Sequence, residues 1–117
     1  MAALGDGGAL MSIADLETAV RLGLPLVIVV YDDRGYGAEV HHFGPDGFEL
    51  ATVRFPDTDI AAIGRGFGFD TVTVNAPDDL KGVSDWLAGP RTAPLLVHAR
   101  IASDGGAWWL AEAFRGH

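Results

Sequence analysis

Asp6 and Asp33 each follow closely on a short apolar run, Met1–Leu4 and Leu26–Tyr31, and they stand 33 − 6 = 27 positions apart. Glycine-rich turns surround both: Gly5 and Gly7-Gly8 around Asp6, and Arg34-Gly35-Tyr36-Gly37 after Asp33. If the two runs are neighbouring parallel strands, both carboxylates leave the sheet at one edge, where open α/β sheets bind their ligands. The chemistry such a pair supports is the holding of a hard cation. Mg²⁺ takes six oxygens at about 2.0–2.1 Å and usually binds one or two carboxylates together with phosphate oxygens. Asp6 and Asp33 offer the carboxylates, and the turn at Gly35 offers a main-chain carbonyl. The amides of Gly7 and Gly8, leading into a helix, are suited to a diphosphate. Asp-Gly and Asp-Arg-Gly are also ordinary turn sequences. What favours a ligand is their pairing at two strand ends with a helical pattern between them.

The elements that must position this pair are legible as alternating periods. After the Met1–Leu4 strand, Ser12 and Asp15 have the spacing of a capping box, and Ile13, Leu16 and Val20 share a helical face. Glu17 precedes Arg21 at i,i+4, and Gly23 and Pro25 end the helix. Leu26–Tyr31 is apolar throughout, as a strand covered on both faces should be. From Asp32 to Pro56 there is no clean period, so the expectation is a long mobile connection, least ordered over Gly37–Pro56. Ile60, Ile63 and Phe67 restore helical spacing, and Asp70–Asn75 alternates as a strand with Val72 and Val74 on one face. Pro77-Asp78-Asp79 opens a further helix with the apolar stripe Leu80, Val83 and Leu87. Pro94–Ala99 is the last strand, and Trp108, Trp109 and Phe114 lie in a short amphipathic tail. The class is therefore α/β: an open parallel sheet with helices on both faces.

Composition narrows the partners. The chain has 117 residues, 49% hydrophobic, enough for one domain with a core. Its net charge of −8 disfavours nucleic acid and anionic membrane surfaces. No apolar run reaches membrane-spanning length and no signal-peptide pattern is present. With no cysteine, thiolate chemistry is excluded, and a cytoplasmic location is the expectation.

The stretch Gly5-Asp6-Gly7-Gly8, the helix containing Asp15-Leu16-Glu17, the strand Leu26–Tyr31 and Asp33-Arg34-Gly35-Tyr36-Gly37 resemble the thiamine-diphosphate motif. The resemblance is to the C-terminal, diphosphate-binding domain of the acetolactate synthase, benzoylformate decarboxylase and pyruvate decarboxylase family. It covers residues 1–102, leaving 103–117 as a tail. It implies a thiamine-diphosphate-binding fold, truncated at its N-terminus, that serves a 2-oxo acid decarboxylase or carboligase with thiamine diphosphate and Mg²⁺ as cofactors. By that resemblance Asp6, Asp33 and the Gly35 carbonyl hold the metal, and Gly5, Gly7, Gly8, Tyr36 and Gly37 join them around the cofactor. The family most often has asparagine where Asp33 and Asp32 stand, so the added charge implies a stronger need for a cation. Glu39 falls where some members place an acidic active-site residue, although a solvated loop glutamate is the simpler reading. His41 and His42 diverge in an extended segment, which argues against a shared metal. Arg34 is either a contact for an anionic substrate or simply exposed. The glutamate that activates the cofactor belongs to a separate pyrimidine-binding domain, of the same or a neighbouring subunit. The isolated chain is therefore expected to be inactive and to self-associate as a homo-oligomer, by covering exposed edges or exchanging residues Ala107–His117.

Two other readings stand beside this one. A signalling receiver domain is also α/β with acidic strand ends around Mg²⁺, but it needs a lysine at a late strand end, and Lys81 falls inside a helical pattern. A non-catalytic assembly fragment of the same fold is the other. A generic dinucleotide-binding domain is weaker still, since no Gly-x-Gly-x-x-Gly follows a strand.

Overall fold

Four short strands build one parallel sheet: β1 (Ala2–Gly5), β2 (Val27–Asp32), β3 (Asp70–Val74) and β4 (Leu95–Arg100), in the order β1-β2-β4-β3. The structure is a computed structural model that describes residues 1–115, the side chains of Ala111 and Phe114 excepted. The expectations for Phe114 packing and for His117 in an exchanged tail thus fall outside the described residues. β4 inserts between β2 and β3, so it is covered on both sides by neighbours, and Leu95, Leu96, Val97 and His98 are all buried. Its near-continuous apolar run follows from that position.

Between β1 and β2 the chain forms two short helices, α1 (Asp6–Met11) and α2 (Asp15–Arg21). The expected capping box does not form. Ser12 closes α1 instead, donating its hydroxyl to the Gly8 carbonyl at 2.9 Å, and α2 starts after Ala14 with no side-chain cap. Leu16 and Ala19 of α2 are buried against Ile28 and Val30 of β2 and Leu96 of β4. The Arg21–Glu17 pair closes at 2.8 Å on the exposed side, worth about 0.3–0.5 kcal/mol.

The stretch read as structureless contains a helix, α3 (Gly37–Phe43), and a bridge between Gly35 and Arg54. α3 buries none of its residues. A helix without a buried stripe writes no 3.6-residue period into the sequence, which is why it escaped the pattern.

α4 (Ile60–Phe67) packs on the same sheet face as α2: a Cβ at Gly64 would sit 3.0 Å from Leu96 Cδ1 and 3.4 Å from Thr71 Cγ2. Its N-cap is Asp59, whose carboxylate accepts the Ala62 N–H at 2.9 Å. Asp59→Ala is expected to cost about 1 kcal/mol, the usual loss for such a cap. Urea unfolding would read this, and an unchanged midpoint would remove the cap from the forces fixing α4.

After β3, Pro77–Leu80 forms a 3₁₀ turn leading into α5 (Lys81–Ala88) on the other face, where a Cβ at Gly82 would come 3.1 Å from Val72 Cγ1. Helices thus lie on both faces, as expected. The Leu80, Val83, Leu87 stripe is corrected in part: Val83 is half-buried as expected, but Leu80 and Leu87 are each 51% exposed and Trp86 is half-buried in their place. The Trp86 indole donates to Asp70 at 2.9 Å, which rotates the helix towards β3. Ala3 and Tyr31, on the α5 side of β1 and β2, are exposed. The last helix, α6 (Trp108–Phe114), lies against α3. Among the described residues no helix is long and apolar enough to cross a membrane.

Candidate functional site

The register Gly5↔Tyr31 brings the ends of β1 and β2 side by side. Asp6 begins α1 directly after β1, and Asp33 follows directly on β2. Asp6 is 2% exposed, and its carboxylate joins the two chain segments: Oδ1 accepts the Gly7 N–H and Oδ2 accepts the Gly35 N–H, both at 2.9 Å. Each carboxylate oxygen keeps a further lone pair. The two strand ends are thereby tied together through the very group that could meet a cation.

The turn after β2 is held by several independent bonds. Asp32 Oδ1 accepts the Arg34 N–H at 3.0 Å, and Arg34 lies in the left-handed region with φ 64°. That conformation costs a non-glycine residue about 1–2 kcal/mol. On the far side, Tyr36 N–H donates to the Val53 carbonyl and Phe55 N–H to the Arg34 carbonyl, each at 2.8 Å. The Tyr36 ring lies edge-on to Phe55 with centroids 4.9 Å apart, and its other side closes on Gly7, where a Cβ would fall 2.5 Å from Tyr36 Cε1. Gly37 is closer still to its neighbour: a methyl there would collide with Asp33 Oδ2. Three glycines therefore leave room for a ring, a carboxylate and a backbone segment, and only one of them, Gly35, faces main chain.

These groups surround a cavity of about 400 Å³, within the range of small-molecule sites. Gly5, Asp6, Gly7, Gly8, Asp33, Gly35, Tyr36, Gly37 and Glu39 all line it. Gly105, Gly106, Ala107, Trp109 and Leu110 also line it, while Trp108 is 81% exposed and outside the lining. His41 also lines the cavity and lies against Gly106, where a Cβ would come 3.0 Å from its own. His42 is turned to Phe43, edge-on at 4.7 Å, so the two histidines do part. Arg34 lines an adjoining cavity of about 600 Å³ together with Arg54 and His41. Among the described residues no group of three or more His, Cys, Asp or Glu is arranged to hold a metal by itself.

The carboxyls of Asp6 and Asp32 are shifted in opposite directions. Burial raises the Asp6 carboxyl to about 6 from 3.8; its two amide hydrogen bonds oppose the rise, and the charges of Asp33 and Asp32 add to it. Asp32 is also buried, which pushes it up, yet its hydrogen bonds from His98 and from Arg34 N–H prevail and hold it below the ordinary carboxylate range. Asp32 thus adds its charge to that of Asp33, as expected, and it has in addition a partner that no sequence pattern announces: its Oδ2 lies 2.6 Å from His98 Nε2 on β4, and both side chains are buried. His98 was missed altogether. Its one sequence signal is a polar residue at the centre of the apolar run Leu95–Ala99.

A parallel α/β sheet that brings two carboxylates and a glycine turn to adjacent strand ends around one cavity belongs to the class of open α/β sheets with a ligand site beyond the carboxyl ends of their strands. Comparison with known proteins gives that class its family. The chain belongs to the family described as thiamine pyrophosphate enzyme, C-terminal TPP binding domain, which matches residues 1–99. Acetolactate synthase of Bacillus subtilis is 37% identical over 79 residues, covering 68% of this chain and 14% of that protein. Pyruvate oxidase of Lactiplantibacillus plantarum is 31% identical over 102 residues, covering 86% of this chain and 17% of that protein. The crystal structure of benzoylformate decarboxylase from Polynucleobacter necessarius superposes with a TM-score of 0.75 at 21% identity, over 89% of this chain and 20% of that one. That last likeness carries the fold. The chain spans less than a fifth of the length of the curated relatives described, 14% and 17%.

Proposed function

We propose that this domain binds thiamine diphosphate through Mg²⁺, as the diphosphate-anchoring part of an enzyme acting on 2-oxo acids. The observation that carries the reading is the convergence of Asp6, Asp33 and Gly35 on one cavity at the ends of two paired parallel strands. The donor set fits the group. Carboxylate and carbonyl oxygens are the hard ligands Mg²⁺ prefers, and phosphate oxygens would complete its shell. A divalent cation would also relieve the repulsion between Asp6 and Asp33 that now raises Asp6.

In this reading Asp6, Asp33 and the Gly35 carbonyl hold the metal, and Gly5, Gly7, Gly8, Tyr36 and Gly37 line the diphosphate. Bound thiamine diphosphate supplies a carbon nucleophile that 2-oxo acids require for loss of CO₂ or for carboligation. The chain's part is to anchor one end and to restrict water through residues 105–110. In the same reading Glu39, exposed and in the cavity lining, would exchange a proton with substrate. Arg34 and Arg54, in the adjoining cavity, are suited to an anionic substrate. The binding unit is residues 1–102, with 103–117 as a closing tail. Activity needs a pyrimidine-binding domain from the same or a neighbouring subunit, so the chain alone releases no CO₂ and associates with copies of itself. A receiver-type signalling domain is disfavoured by Lys81, which stands at the start of α5, exposed and paired to Asp85 at 2.6 Å.

Calorimetric titration with thiamine diphosphate tests the reading. Saturable binding is expected with Mg²⁺ present, weakened at least about tenfold (~1.4 kcal/mol) when the metal is chelated. No binding under either condition would defeat it, and equal binding under both would remove the metal.

A further inference from the structure

Behind the turn that carries Asp33 and Gly35 lies a buried polar contact between two strands 66 residues apart in sequence: His98 Nε2 to Asp32 Oδ2, 2.6 Å. The parallel register sets Val30 opposite His98 and Asp32 opposite Arg100, so His98 sits one same-face step short of Asp32 and reaches it diagonally. His98 is 0% exposed and Asp32 is 5% exposed. The ring's other nitrogen, Nδ1, is buried with no hydrogen-bond partner. A buried polar atom left in that condition costs about 1–3 kcal/mol. An apolar side chain at position 98 would avoid this cost, and its β4 neighbours Leu95, Leu96 and Val97 are all buried and apolar. The imidazole therefore needs a return elsewhere in the fold.

That return is at the other Asp32 oxygen. Oδ1 accepts the Arg34 N–H at 3.0 Å, among the described residues the one bond on the amide side of Arg34, whose φ is 64°, while its carbonyl accepts from Phe55 N–H at 2.8 Å. The terminal torsion of an aspartate is broad and not confined to one staggered well, so a bond to its second oxygen narrows the orientation of the first. His98 supplies that bond. We infer that His98 is a positioning residue for the cofactor site, acting through Asp32 to lock the Asp33–Gly35 turn in the geometry that presents the Asp33 carboxylate and the Gly35 carbonyl. The inference deepens the proposed thiamine-diphosphate reading and rests on it for its consequence in binding, while the lock itself is a property of the ligand-free chain.

Two readouts on the full 117-residue chain keep the two apart. Hydrogen exchange of the Arg34 amide, measured by NMR without any ligand, reports the lock. His98→Leu is expected to speed that exchange at least about tenfold (~1.4 kcal/mol). His98→Gln, whose amide can reach Asp32 from the same backbone position, should stay within about threefold of wild type. In an Asp32→Ala background His98→Leu should add nothing, because there is then no carboxylate to act through. Mg²⁺-dependent affinity for thiamine diphosphate should follow the same order, about tenfold weaker for His98→Leu and restored by His98→Gln. If wild type binds no thiamine diphosphate, the proposed function fails while the exchange series still decides the lock. Unchanged Arg34 exchange in His98→Leu overturns the inference. So does a His98→Gln variant as impaired as His98→Leu, which would make the ring's packing the cause, or an equal effect of His98→Leu with Asp32 removed. Where His98→Leu fails to fold, His98→Asn takes its place: its shorter amide does not extend to the position of the ring Nε2, so Arg34 exchange should again be at least about tenfold faster than in His98→Gln (~1.4 kcal/mol), and equal exchange in the two overturns the inference.

Discussion

Asp6→Asn is expected to abolish Mg²⁺-dependent binding of thiamine diphosphate, by about a hundredfold or more, while making the ligand-free protein more stable at neutral pH. The two effects come from the same carboxylate. Burial, reinforced by Asp33 and Asp32, raises Asp6 to about 6 from 3.8 despite two amide hydrogen bonds. Because the folded pKa is raised, the stabilising contribution of this group is fully present below pH 3.8 and is lost as pH rises through about 6. Above that range the ionised form costs the fold about 3 kcal/mol, at ~1.36 kcal/mol per pKa unit. Asparagine removes the charge but converts one acceptor into a donor, facing either Gly7 N–H or Gly35 N–H, which returns about 1–2 kcal/mol. A net gain of about 1–2 kcal/mol at pH 7.5 remains, and it should shrink towards pH 5 as wild-type Asp6 takes up its proton. Metal binding runs the other way. It requires the ionised carboxylate, so wild-type affinity should fall by nearly tenfold per pH unit below about 6. Urea unfolding of both chains at pH 7.5 and 5.0 gives the first arm, and calorimetry gives the second. The difference between the chains removes the contribution of Asp59, whose lowered pKa favours the fold at higher pH, whereas Asp32, which interacts with Asp6, responds together with it. An Asp6→Asn chain less stable than wild type at pH 7.5 would show that its hydrogen bonds outweigh its charge.

Much of this site was legible because its parts sit next to sequence punctuation. Asp6 and Asp33 each follow an apolar run that could only be a strand, and the two strands are consecutive, so their pairing was the first topology to try. β2 and β4 were placed within a residue of their observed limits, and so was the helix Ile60–Phe67. What was not legible shares one physical cause: it is settled by tertiary contact and leaves no local pattern. α3 buries nothing and carries no stripe. α1 begins at Asp6 despite Gly7 and Gly8, poor helix formers. Ser12 has the composition of a cap, but the chain reaches it from inside a helix, and its hydroxyl bonds back to Gly8. Leu87 has helical spacing with Leu80 and Val83, yet the indole of Trp86 finds Asp70 and turns the helix away. The Asp32–His98 contact exists only because β4 inserts beside β2, an order that no short-range signal in the chain records.

Gly35→Ala should be the most damaging single methyl in the molecule. The added Cβ would lie 2.5 Å from the Val53 carbonyl oxygen and 3.4 Å from Arg54 Cα. Neither neighbour is the end of a side chain that can rotate away. One option is for the Val53–Phe55 segment to retreat, which gives up Tyr36 N–H to Val53 and Phe55 N–H to Arg34, both 2.8 Å. The other is for Gly35 to retreat, which withdraws its N–H from Asp6 Oδ2 and leaves a buried carboxylate oxygen without that donor. Overpacking of this kind costs about 1–3 kcal/mol, and each lost hydrogen bond adds about 1 kcal/mol. A destabilisation of about 2–4 kcal/mol is therefore expected, together with loss of metal-dependent binding, since the turn carries both Asp33 and the Gly35 carbonyl. Gly66→Ala is the matched control. It adds the same methyl to an exposed position of α4 with nothing within 4 Å, and it should stabilise by about 0.5–1 kcal/mol through helix propensity alone. Urea midpoints for the two variants should move in opposite directions. If Gly35→Ala unfolds with wild type, the Val53–Phe55 segment is free to yield. The bridge between Gly35 and Arg54 would then not be what holds the turn in place.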